Sequence, residues 1–145
     1  RAGAIALLAE GGVLFSALFA GLLAAPAAGR LACALVPLAA KPAKPAGLGA
    51  LMDGFSKKRI AAGTALALIP ALAWSAITGG WLLPVLTIAA ALASGFGAAL
   101  FISKLYCGKV GGFTGDALGA AVELGEIAAL LLIGIAARLI GWIPA

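Results

Sequence analysis

Apolar runs of about twenty residues, set apart by short basic or glycine- and proline-rich segments, are the feature that most narrows what this chain can become. They fall at about Ala4 to Ala25, Ile60 to Thr78, Trp81 to Ser103 and Ala117 to Ile143, with a shorter piece from Ala27 to Ala40. A lipid-facing backbone must satisfy its own hydrogen bonds, so a run of this length reads as a spanning α-helix. Barrel strands are shorter and alternate in polarity, a pattern missing here. The composition agrees: 64% of the residues are hydrophobic and 10% charged, against about 45–50% and about 25% in soluble domains. A water-soluble shell cannot be made from that stock.

The expected fold is all-α, a polytopic transmembrane bundle of about five spanning helices forming one domain over residues 1–145. Pro26 and Gly29 punctuate the first stretch and are taken to separate its first two spans. Gly79-Gly80 closes a helical hairpin flanked by Trp74 and Trp81, whose indoles favour the headgroup region, and Trp142 ends the last span. Pro70 and Pro84 are tolerated as kinks inside a bundle. Small residues around Ala91, Gly95, Gly97, Ala98 and Ala99 predict close helix contacts.

The formal charge of +5 does not point to a nucleic-acid partner. The cations gather in Lys41-Pro42-Ala43-Lys44-Pro45, in Lys57-Lys58-Arg59 and at Lys104 and Lys109. Such clusters mark the cytoplasmic side, which assigns loops 41–59 and 104–116 to the cytoplasm of a multi-pass membrane protein. Between the first two clusters, Leu48, Leu51, Met52 and Phe55 suit one amphipathic turn at the interface, while Asp53-Gly54 suits a plain turn equally well. Cys33 and Cys107 form neither a disulfide framework nor a metal motif. The chain has no histidine, which leaves carboxylates, backbone groups and a hard cation for any chemistry.

Three of the five acidic residues fall in Gly111-Gly112-Phe113-Thr114-Gly115-Asp116-Ala117-Leu118-Gly119-Ala120-Ala121-Val122-Glu123-Leu124-Gly125-Glu126. On a helix starting near Asp116, Glu123 lies almost directly above it and Glu126 on the neighbouring edge of the same face. Carboxylates at a membrane are costly unless they face an interior or a compensating cation. Oxygen donors without His or Cys select Mg²⁺. Gly115, Gly119 and Ala120 leave room for a phosphate-bearing substrate, and the glycine-rich entry offers free N–H groups. Lys104 and Lys109 are candidate phosphate contacts, as is Arg30 if it turns inward rather than snorkelling to the interface. The competing structural account makes Asp116 or Thr114 a helix cap and pairs the glutamates with basic residues. Glu10 is read as pairing with Arg30 or approaching the cavity, and Arg138 as an interface anchor.

The segment Gly111-Gly112-Phe113-Thr114-Gly115-Asp116-Ala117-Leu118-Gly119-Ala120, followed by Glu123 and Glu126, resembles the Gly-Gly-x-Thr-Gly-Asp-x-Leu-Gly-Ala motif and downstream glutamates of the cobalamin synthase family, adenosylcobinamide-GDP ribazoletransferase. The helical hairpin and the Gly47-Leu48-Gly49 loop are similar to features of that family at lower detail. The resemblance implies a Mg²⁺-dependent transfer of adenosylcobinamide phosphate from adenosylcobinamide-GDP to α-ribazole or its phosphate, with release of GMP. It implies metal and catalytic roles for Asp116, Glu123 and Glu126; Thr114, Gly115, Lys104, Lys109 and Arg30 stand beside them as the candidate phosphate contacts. Family members also carry an acidic Glu-Asp-Gly-Leu-Ala-Asp-Thr-x-Asp-Gly segment that this sequence lacks, so the chain is expected to be a C-terminal portion of the enzyme. Self-association into a homo-oligomer stays open. The rival readings are another membrane alcohol phosphotransferase, whose aspartates recur four residues apart, and a small cation transporter or channel lined by the three acids.

Overall fold

The computed structural model describes residues 2–52, 54, 56–78 and 82–141. Its elements are α1 (Ala2–Ala39), α2 (Leu48–Leu51), α3 (Lys57–Thr78), α4 (Leu82–Val110) and α5 (Gly115–Gly141). The all-α bundle expected from the apolar runs is the architecture observed. Four of the helices are long and apolar enough to cross a bilayer, over Phe15–Ala39, Lys57–Ile77, Leu82–Val110 and Gly115–Leu139. Expectations resting on the Glu10 side chain, Asp53, Phe55, the Gly79-Gly80 turn, Trp81 and Trp142 lie outside the described residues.

The first two expected spans are one helix. α1 runs unbroken through Pro26, Gly29 and Pro37. Proline removes one hydrogen bond and bends a helix, but ending the helix in an apolar setting would strand several backbone groups, which costs more. Gly29 has a different use from the turn its type suggests: it lies where α1 meets α5.

At that level three helices touch almost backbone to backbone. A Cβ on Gly29 would stand 2.9 Å from the Val122 carbonyl oxygen, one on Gly125 would stand 3.1 Å from the Ala28 carbonyl oxygen, and one on Gly95 would stand 3.0 Å from that same oxygen. Helices in lipid gain little from hydrophobic exclusion, so dispersion at such close approaches holds them together. Ala91, Ala98 and Ala99, picked out by their size, are buried here, whereas Gly97 faces open space.

α1, α4 and α5 thus make the tight part of the bundle, and α3 is the least buried of the long helices. α3 leans on α1 through Trp74, whose indole N–H donates to the Ser16 carbonyl at 3.2 Å and whose ring lies 4.5 Å from that of Phe19. Two hydroxyls inside α4 return to the preceding turn, Thr87 to the Leu83 carbonyl and Ser94 to that of Ala90. The single turn α2 leaves Leu51 exposed while Met52 packs on the core beneath.

Candidate functional site

The end of the bundle where α1 finishes and α5 begins is built around one buried aromatic ring. Phe113 is 1% exposed and sits among Val36, Ala98, Ile102, Ala117 and Leu118. Its backbone is pinned to the segment that follows α1: the Phe113 N–H donates to the Lys41 carbonyl at 3.0 Å, and the Ala43 N–H donates to the Phe113 carbonyl at 2.9 Å. Residues 42 and 113 form a parallel bridge. Gly112 is required for this approach, since a Cβ there would lie 2.5 Å from the Lys41 oxygen and 2.8 Å from the Ala43 nitrogen. Gly111, at φ 76°, turns the chain from α4 into the bridge with a backbone that L side chains resist.

Two basic loops far apart in sequence are therefore one layer. Lys41, Lys44, Lys57, Lys58, Arg59, Lys104 and Lys109 all belong to the segments at this end.

Thr114 caps α5. Its hydroxyl oxygen accepts the Ala117 N–H at 3.2 Å, and its carbonyl accepts the Leu118 N–H. The capping account holds for the Thr114 oxygen as acceptor, and because Thr114 also lines the cleft described next, its O–H stays free to donate to a phosphate oxygen. Asp116 falls in the first turn, where the helix dipole favours an acid. It is exposed, and with Gly115 it lines a cleft of about 210 Å³ to which Lys44, Gly47 and Gly49 also contribute. A carboxylate, an ammonium and a row of glycine backbones at a helix N-terminus can together hold a phosphate and a cation bound to it.

The other acids are carried away from that cleft. Glu123 is exposed two turns further along α5, about 10 Å by helix rise. Glu126 is half-buried at the α1 contact, its Cγ 2.8 Å from where a Cβ on Gly29 would be. Among the described residues, no three acidic or sulfur side chains stand close enough to hold one metal ion. One cation gripped by all three acids does not fit this arrangement. Asp116 alone does suit the usual mode of Mg²⁺, which takes one or two carboxylates and completes its shell with substrate phosphates and water.

Of the basic candidates, Lys104 and Lys109 are exposed at the end of α4 and do not line the Asp116 cleft, and Arg30 lines a separate cleft between α1 and α3. The lysine that does line the Asp116 cleft is Lys44. Sequence reasoning passed over it because Lys41 and Lys44 served there only as markers of membrane side. The flanking glycines at 47 and 49 were the available signal.

No curated protein and no solved structure matches the chain. The family model for cobalamin-5-phosphate synthase matches residues 2–134. Spanning nearly the whole sequence, that match agrees with the glycine-rich entry to α5 and with the apolar helices that carry it: the chain belongs to the cobalamin-5-phosphate synthase family, enzymes of cobalamin biosynthesis.

Proposed function

We propose that the chain carries out a Mg²⁺-dependent transfer in which α-ribazole, or its phosphate, is joined to adenosylcobinamide-GDP and GMP is released. The observation that carries this reading is the pairing of Phe113 with Lys41 and Ala43, which unites Lys44, Gly47 and Gly49 with Gly115 and Asp116 around one cleft. A pyrophosphate linkage needs neutralisation of its charge and alignment of the attacking oxygen, and no nucleophilic side chain. In this reading a ribose hydroxyl oxygen bonds to the cobinamide-linked phosphorus, the P–O bond to GMP breaks, and the hydroxyl proton passes to solvent.

The chain's residues divide the work. Lys44 holds phosphate oxygens as a point charge, the N–H groups at the start of α5 add directed donors, and Thr114 keeps that helix end in place. Asp116 holds the cation, which when bound withdraws charge from the phosphate oxygens. In this reading the basic layer lies on the side that positively charged loops favour, the cytoplasmic face of the inner membrane, and the cleft opens there.

The test is GMP release by the full-length protein reconstituted in lipid vesicles, with Mg²⁺ supplied. Replacing Asp116 by alanine should lower kcat/KM by about 10²–10³, the usual size for a lost charge-stabilising group. Lys44→Ala should mainly raise KM for the nucleotide substrate. Turnover unchanged in D116A at all Mg²⁺ concentrations ends the reading.

A further inference from the structure

α3 opens with Lys57, Lys58 and Arg59 and has no acid in its first turn. Cations there face the positive end of the helix dipole, an arrangement that wants an anion nearby. Arg30 of α1 joins Arg59 in lining a cleft of about 190 Å³ between α1 and α3. Among the described residues no carboxylate pairs with either guanidinium. Arg30 lies about 13 Å by helix rise from the end of α1, and its exposed side chain shares the cleft with Arg59 of the first turn of α3, so two cations meet there.

A second cavity adjoins the first. Ile60 and Thr64 line both, and the larger one is a groove of about 580 Å³ walled by Leu31, Leu35 and Leu38 of α1 and Phe96 of α4. Lys57, the first residue of α3, is the charged side chain in its lining. From Lys57 to Leu68, which also lines the groove, α3 rises about 16 Å. That is about half of the roughly 30 Å hydrocarbon core, the depth of one leaflet.

We propose that these joined cavities bind an anionic phospholipid of the leaflet at the basic end of the bundle. Its phosphate is held by Arg30 and Arg59, and one acyl chain lies in the groove under the first turns of α3. Guanidinium groups match phosphate oxygens in paired hydrogen bonds, and the groove offers hydrocarbon almost no polar partner. A free phosphate would use the cationic cleft and leave the groove unfilled; a neutral lipid would use the groove and leave the guanidinium charges uncompensated. The site is separate from the Asp116 cleft and does not depend on the transfer reaction.

Native mass spectrometry of the full-length protein, titrated in detergent with phosphatidylglycerol or phosphatidylcholine of equal chain length, tests this. Phosphatidylglycerol should bind more tightly, and R30Q and R59Q should each weaken it by about fivefold, the worth of one interfacial cation. R30K/R59K, which keeps the charge and guards against a folding defect, should retain most of the preference. Ala65→Trp, which fills the groove from the exposed side of α3, should lower binding of both lipids. Arg138→Gln, at the far end of α5, should change nothing. Equal binding of the two lipids overturns the proposal, as does equal loss in R138Q. Glycerol phosphate displacing the lipid at matched concentration would identify a free-phosphate site and overturn it too.

Discussion

α1 makes two unlike seams. Towards α5 and α4 it presents Ala28 and Gly29, and the backbones close to contact distance. Towards α3 it presents Arg30, Leu31, Ala34 and Leu35, and the seam opens into two clefts. The difference is one of side-chain size at adjacent positions of a single helix. In lipid, small residues give a fixed register because only one depth of approach satisfies them, whereas long side chains leave spaces that other molecules can occupy. The fixed seam carries the end of α1 and the start of α5, and so sets the width of the cleft that Lys44 and Asp116 line together. The open seam carries no part of that cleft.

The most damaging way to break the comparison is to give the tight seam a side chain. Gly29→Val would put carbon within 2.9 Å of the Val122 carbonyl, a backbone atom that cannot swing aside. We expect a loss of about 1–3 kcal/mol, as for overpacked cores, read as a lower midpoint of thermal unfolding in detergent. A midpoint unchanged from the parent would show that the helices are not in contact at this level.

Gly112→Ala tests what the tight seam supports. The added carbon would meet the Lys41 oxygen and the Ala43 nitrogen, so the two loops must part and give up the hydrogen bonds of Phe113. Each such bond contributes about 0.5–1.5 kcal/mol. Amide exchange should rise in residues 41–47 and 111–114 with the helices unaffected, and GMP release should fall. Unaltered protection of the Phe113 and Ala43 amides would rule out the paired-loop layer.

Much of this was legible in the sequence, for a physical reason. Helices in lipid are announced by length and hydropathy, which are local properties, and the four long helices follow the apolar runs closely. What failed depended on a partner. Pro26 and Gly29 read as punctuation because a helix viewed alone gives glycine no other use; only the presence of α5 turns Gly29 into a contact. The acids at 116, 123 and 126 do follow one face by helical spacing, but sharing a face is not sharing a place. Asp116 and Glu126 are separated by about 15 Å of rise. Lys44 was hidden because its counterpart, Asp116, lies on the far side of two membrane crossings in the chain, and charge alone says which side of the membrane a lysine prefers and nothing about its neighbour.

Thr114→Ala sharpens the same contrast on a smaller scale. It removes the cap that accepts the Ala117 N–H, with an expected cost of about 1 kcal/mol. Serine, which keeps the oxygen, should restore the loss. If alanine leaves stability intact but lowers turnover, and serine restores turnover alone, the hydroxyl serves substrate and not the helix.

The mildest change belongs to the open seam and should have the opposite sign. Gly63 lies inside α3, half-way down the arginine-lined cleft, and a Cβ there would meet nothing within 4 Å. A glycine in a helix interior is worth about 0.8–1.0 kcal/mol less than alanine, because it keeps more freedom in the unfolded chain. Gly63→Ala should therefore be neutral or raise the unfolding midpoint, while the same added carbon at Gly29 must push two helices apart. The pair of measurements isolates contact from propensity, since both sites are helical glycines. Destabilisation at Gly63 equal to that at Gly29 would mean that α3 closes onto α1 as tightly as α5 does, and the two seams would no longer differ in kind.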